Sequence, residues 1–178
     1  MSAIIINNIP ISGKYPEHHF GEHFKSSLWI EFIDNNSNKW FGCFSKEHDH
    51  GFNKVLINKE NTTAFVVSDG QDYIIDIENR KIKFKTEEHP LIVSLILTEN
   101  PNYFIVGTFY EIYIFNSEKR IKKLIPNLIL DGIYFNKQEE KQAVGDLSTA
   151  ENQYNKNILF EFNLETFSLK LEDTSFLS

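Results

Sequence analysis

The sequence predicts an all-β fold with few or no helices, and three observations carry that reading. The first is residue choice. Of 178 residues, 41% are apolar and 14% aromatic, with Phe present 16 times. Ala, the best helix former, stands only at Ala3, Ala64, Ala143 and Ala150. β-Branched and aromatic side chains suit a pleated, half-buried surface instead. The second is spacing, because short apolar runs alternate with turn-forming clusters at intervals of roughly ten residues. The third is an internal repeat.

In chain order, the runs at 28–34 and 39–45 flank Asn35-Asn36-Ser37-Asn38 and read as a hairpin. A brief run at 54–57 precedes strands at 63–67, 73–77 and 81–85. Ser68-Asp69-Gly70 and Glu78-Asn79-Arg80 separate these, and Asp-Gly is a favoured two-residue hairpin turn. Runs at 91–97, 103–106, 111–115 and 120–124 repeat the scheme. Strands at 128–135, 158–164 and 168–171, with a weaker run at 143–147, complete it, while 15–25 and 137–157 read as loops. Gly132, inside an apolar run, predicts a bulge or close backbone approach. The length fits one β-rich domain over 1–178.

Residues 64–85 align with 103–124 without a gap. Phe65 falls on Phe104, Val66 on Ile105, Val67 on Val106, Ile75 on Ile114 and Ile82 on Ile121, an offset of 39. A partial third copy over 157–172 matches Asp76-Ile77-Glu78-Asn79 with Asn163-Leu164-Glu165-Thr166, and Ile82-Lys83-Phe84 with Leu169-Lys170-Leu171. A period of about 40 with four strands per unit is the propeller-blade signature. These units resemble blades of WD40-like or quinoprotein-like propellers, although the Gly-His and Trp-Asp landmarks of true WD40 repeats are missing. The resemblance implies antiparallel, blade-like units arranged as an open arc or a sandwich. Lys81, Lys83, Lys85, Lys119, Arg120 and Lys122 gather on and beside the last strand of each unit. There they either guard a sheet edge or form an anion-binding ridge.

The formal charge of −7 argues against nucleic acid, whose binding needs clustered Lys and Arg. No apolar stretch approaches the ~18 residues of a membrane span, and the N-terminus lacks a basic leader region. Cytoplasmic residence without a membrane partner is the expectation. Cys43 is the one cysteine, so no internal disulfide forms; within Trp40-Phe41-Gly42-Cys43-Phe44 it reads as a small buried hydrophobe.

Candidate chemistry is sparse. His18, His19 and His23 precede His48-Asp49-His50, and Gly42 with this triplet matches the opening of the cupin metal motif. Val55 stands where that motif needs Glu, so the cluster reads as solvated turn sequence with no metal and no cofactor. On one strand Asp72 and Asp76 would lie about 13 Å apart, too far for a glycosidase pair. With Asp69 they read as turn chemistry. No nucleophile elbow, phosphate loop or dinucleotide fingerprint occurs, so no catalytic residue is assigned. A small-ligand-binding protein or an enzyme of unmarked type remains the alternative.

Trp29-Ile30-Glu31-Phe32, Trp40-Phe41-Gly42, Asp131-Gly132-Ile133-Tyr134-Phe135 and Phe162-Asn163-Leu164 with Leu169 sit in a small, acidic, β-rich chain. In this pattern the chain resembles immunity proteins of bacterial polymorphic-toxin and contact-dependent growth-inhibition systems. That resemblance implies a cytoplasmic binding protein that covers the active site of a cognate toxin domain, commonly a nuclease with a basic cleft. Asp49, Asp69 and Asp72, near predicted turns, are the acidic contacts expected for such a partner. Phe109 and Tyr110 are the aromatic ones. The alignment sets Thr108-Phe109-Tyr110-Glu111 against Asp69-Gly70-Gln71-Asp72, placing two rings where a turn should meet water. Either the register slips locally, or they pack on a neighbouring unit, or they anchor a partner.

Overall fold

The computed structural model describes residues 1–22, 26–46, 51–99, 103–126, 130–139, 141–149 and 158–172. Among them the regular structure is sixteen strands in four four-stranded sheets, with no helix. The all-β reading is therefore correct. The chain divides into two compact units, Met1–Leu91 with Ser117–Lys119, and Ile92–Asn116 with Arg120–Ser178.

Unit 1 contains two sheets. The first joins β1 (Ser2–Ile6), β3 (Ser26–Ile33), β4 (Lys39–Lys46) and β2 (Glu17–Phe20) in that spatial order. Its β2·β4 pair is parallel. The second is a meander of β5 (Lys54–Asn58), β6 (Thr63–Ser68), β7 (Gln71–Asp76) and β8 (Lys81–Phe84). Alternate residues of β3 point inward, so Leu28, Ile30 and Phe32 join Trp40 and Phe44 against Ala64, Val66, Tyr73, Ile75 and Ile77. Phe32 stacks on Trp40 at 4.2 Å between centroids. Each such ring removes enough apolar surface from water to contribute several kcal/mol of gross stabilisation, of order about 2–3 per side chain.

Unit 2 repeats the plan. One meander runs β9 (Ile92–Leu97), β10 (Phe104–Thr108), β11 (Ile112–Phe115), β12 (Arg120–Leu124). The other runs β13 (Leu130–Glu139), β14 (Gln142–Thr149), β15 (Ile158–Asn163), β16 (Ser168–Leu171). Ile105, Ile112 and Ile114 meet Leu130, Ile133, Phe135, Leu147, Phe160 and Phe162 in one core. The sheets approach closely at Gly107, where a Cβ would lie 2.1 Å from the Ile133 carbonyl oxygen. The Ser94 hydroxyl donates to that same oxygen at 2.7 Å.

The two meanders correspond at an offset of 40 residues, not at the 39 expected from the sequence. Ile57↔Ala64↔Ile75 on β5, β6 and β7 correspond to Leu97↔Phe104↔Phe115 on β9, β10 and β11, every member 40 positions on. The bulge between Ile74 and Ile75 recurs between Ile114 and Phe115, at the same spacing. On the outer strand Ile75 faces Ile82 whereas Phe115 faces Arg120, so Ile121 corresponds to Lys83, not to Ile82. The gapless match at 39 set Val66 on Ile105. In the fold Val66 is equivalent to Val106, on the opposite face from Ile105. On the third meander Phe162↔Leu169 and Asn163↔Ser168 pair as Ile75↔Ile82 and Asp76↔Lys81 do, 87 positions earlier.

Two expected loops carry strands. β2 lies within 15–25, and β13 and β14 extend through 137–149 as Lys137↔Val144 and Gln138↔Ala143 pair. Polar residues of low strand propensity are held there by the partner strand, so tertiary pairing outweighs local preference. The bulge expected at Gly132 is present, with φ 148° and a register shift between Leu130 and Gly132.

Candidate partner-binding surface

Each sheet end is built by its hairpin tips, and the tip joining β10 to β11 is aromatic and exposed. The Thr108 hydroxyl organises it. Its oxygen accepts the amides of Tyr110 at 3.1 Å and Glu111 at 2.9 Å, and donates to the Glu111 carbonyl at 3.1 Å. The Thr108 amide also donates to that carbonyl at 2.9 Å. A Thr side chain thus closes the turn by side-chain-to-backbone hydrogen bonds. Tyr110 emerges 62% exposed, with the half-buried Phe109 ring 6.2 Å away. Because Ile112 pairs with Leu124, the chain leaves β12 at the same sheet end, where Ile125 is 68% exposed. Ile125 carried no sequence signal, since only strand register brings it beside the tip.

Below the rings, the Glu111 carboxylate accepts the Tyr113 hydroxyl and pairs with Lys123 at 2.6 Å. Burial opposes its ionisation, but the hydrogen bonds from Lys123 and Tyr113 and the charges of Lys123 and Arg120 outweigh that. The carboxyl is held below its usual range. The tip is therefore anchored while its aromatic end meets solvent.

The acidic candidates lie elsewhere. Asp69 is 5% exposed and Asp72 wholly buried at the β6–β7 tip. The Asp69 amide donates to Asn53 Oδ1 at 2.9 Å. Asp72 accepts Gln71 Nε2 at 3.0 Å and the Thr86 hydroxyl at 2.9 Å. These carboxylates close a sheet end rather than project into solvent. Asp49, with His23, His48 and His50, lies outside the described residues. His18 packs edge-on to Trp40 at 5.5 Å, and burial, then Arg80 and His19, lower its pKa. His19 sits edge-on to Trp29 at 5.8 Å. Among the described residues no group of three or more His, Cys, Asp or Glu is placed to hold a metal ion.

The remaining candidates have structural settings. Cys43 is 2% exposed, and burial pushes its thiol pKa up, which disfavours the reactive thiolate. On the outer strands, Lys85 lies over Tyr73, Arg120 over Tyr113 and Lys122 over Phe167. Lys83 pairs with Glu118 at 2.5 Å. Basic side chains committed in this way suit edge protection. No described helix is long and apolar enough to cross a membrane. No protein-family model matches the chain, and no curated protein matches its sequence.

Proposed function

We propose that this chain is a cytoplasmic immunity-type binding protein that neutralises a cognate bacterial toxin domain by covering its active site. The observation that carries the reading is the β10–β11 tip. It presents Tyr110 to solvent on a turn already fixed by Thr108, with exposed Ile125 leaving β12 at the same sheet end, so little ordering of the turn is needed on binding. Aromatic anchors of this kind dominate interface energies. The net charge of −7 favours a basic partner and faster encounter with it.

The test begins with the gene immediately upstream. Its product is expressed with and without this chain, and growth and direct binding are measured. Protection is expected together with complex formation, and an on-rate that falls as salt rises. Phe109→Ala with Tyr110→Ala should weaken binding by about thirtyfold or more at nearly unchanged melting temperature. A toxic product that this chain neither binds nor counteracts, or an upstream gene that encodes no toxin, overturns the immunity reading. Intact binding with a large drop in melting temperature assigns the two rings to the core.

A further inference from the structure

In a chain of which 24% is charged, the run from Met1 to Gly13 carries no ionisable side chain. Ile4, Ile5, Ile6, Ile9 and Ile11 all fall within it. Along β1 and just before it, Met1, Ala3 and Ile5 turn toward the unit 1 core. Ile4, opposite Glu31 of β3, turns the other way and is 58% exposed. Beyond the strand, Ile9 and Ile11 stand 76% and 79% exposed. Consecutive Cα atoms are about 3.8 Å apart, so Ile9 lies within about 11 Å of Ile6 and Ile11 within about 8 Å of Ile9. The exposed isoleucines therefore gather on one short stretch of surface.

That stretch is held at both ends. β1 pairs with β3 along its whole length. After Ile11 the chain turns at Gly13, φ 80°, and the Lys14 amide donates to the Ile11 carbonyl at 3.4 Å. Tyr15 then packs edge-on to Phe41 at 5.8 Å, and the Phe41 amide donates to the Pro16 carbonyl at 2.9 Å. The isoleucines are presented between two fixed points, β1 at one edge of the sheet and β2 at the other.

The absence of charge separates this patch from other exposed apolar residues. Leu159 pairs with Asp146, beside Glu161 opposite Val144. Ile82 lies between Lys81 and Lys83, and Ile121 between Arg120 and Lys122. Single apolar residues set among charges are ordinary surface, whereas a charge-free group of them marks a contact. Glu31, opposite Ile4, is ion-paired with Lys39 at 2.9 Å. Lys14, at the far border, sits over the Tyr15 ring at 5.5 Å from its centroid.

These charges select the occupant. At −7 overall, two copies of the chain repel wherever acidic surfaces meet, and least where no charge is present. A basic partner drawn by the net charge finds no unpaired acid here to engage. A second copy brings the same uncharged isoleucines, and a two-fold axis sets one patch against the other. We propose that the Ile4, Ile9 and Ile11 patch is a self-association surface through which two copies of this chain form a two-fold dimer. The contact belongs to unit 1 and does not rest on the toxin-binding reading.

The experiment is sedimentation equilibrium of the full chain from micromolar to millimolar concentration, at low and at high sodium chloride. A monomer–dimer equilibrium is expected. It should tighten as salt rises, because screening removes repulsion between two acidic chains while isoleucine burial persists. Ile9→Glu with Ile11→Glu sets like charges across the axis and should weaken the dimer by about tenfold or more. Both side chains are exposed in the single chain, so the melting temperature of dilute protein should hold. Mixing that variant with Ile9→Lys plus Ile11→Lys should restore association as a heterodimer. A dimer that weakens with salt, or one unchanged by the two glutamate substitutions, would overturn the proposal. A chain that stays monomeric throughout would overturn it too, and loss of toxin affinity in the same variant would then assign the patch to that partner.

Discussion

At the β6–β7 tip the backbone turns through Asp69 and Gly70, both left-handed at φ 54° and 80°. At the β10–β11 tip, 40 positions on, the same corner is Phe109 and Tyr110, neither of them left-handed, and the Thr108 hydroxyl holds it by accepting the Tyr110 and Glu111 amides. The first tip is closed over a hydrogen-bonded network of Asn53, Gln71, Asp72 and Thr86. The second ends in exposed Tyr110 and Ile125. One four-stranded meander plan thus yields a sealed end where its corner is polar and an open apolar end where its corner is aromatic. Turn chemistry can change without disturbing the ladder behind it, which leaves hairpin tips available for recognition.

The largest expected effect is at the sealed tip. Asp72→Ala removes a buried acceptor, strands the Thr86 hydroxyl and leaves Gln71 Nε2 with backbone carbonyls alone. Stability should fall by about 3 kcal/mol in urea denaturation. A loss below about 1 kcal/mol would mean that water already satisfies those donors, and the contrast between the tips would lose its basis.

Next comes the residue just before each tip's cap, Val67 on β6 and Gly107 on β10. Val67 is buried, whereas a Cβ on Gly107 would meet the Ile133 carbonyl at 2.1 Å and Ser94 Oγ at 2.6 Å. The nearest obstacle is backbone, so Gly107→Ala should destabilise by about 2 kcal/mol through overpacking. A wild-type melting curve for that variant would show that the two sheets of unit 2 separate more easily than their contact implies.

Both effects bear on what the sequence could reveal. Strand existence was legible because apolar runs and turn clusters are local. The register was not. Every residue of β6, β10 and β11 is buried, so these strands show no inside–outside alternation. A one-residue slip then exchanges one apolar face for the other without any visible penalty in the sequence. The match of Val66 with Ile105 is that slip. Where alternation exists, as in β15 with Ile158, Phe160 and Phe162 inward and Leu159 outward, a slip would turn Leu159 inward and is visible in the sequence. Of the candidate surface, Phe109 and Tyr110 were visible as an oddity of turn composition. The burial of Asp69 and Asp72 was not, because it depends on Asn53 and Thr86, which lie 16 and 14 residues away from them.

A direct exchange of corners separates turn energetics from recognition. Phe109→Asp with Tyr110→Gly transplants the β6–β7 corner onto β10–β11. The favoured hairpin dipeptide offsets the loss of the Phe109 contact, so stability should move by no more than about 1 kcal/mol. Partner affinity should still collapse. Retained affinity would locate recognition away from this tip.

The smallest expected effect tests whether the open tip is held by charge. Glu111 is 19% exposed and its partner Lys123 43%, so the pair is partly screened and contributes at most about 1 kcal/mol. The carboxyl's pKa is depressed in the folded chain from its usual 4.5. A depressed carboxyl stabilises the fold fully above its unfolded pKa, and the contribution disappears as pH falls through the folded pKa. Glu111→Gln should therefore lose up to about 1 kcal/mol at neutral pH and nothing at about pH 2. The wild-type and variant stability curves converge on the acid side, starting below 4.5. His18 and Asp76, whose pKa values are also lowered, shift both curves together and do not alter their difference. Curves that remain parallel into acid would show that Glu111 acts through hydrogen-bond geometry with Tyr113, and that the aromatic corner owes its fixed shape to Thr108 alone.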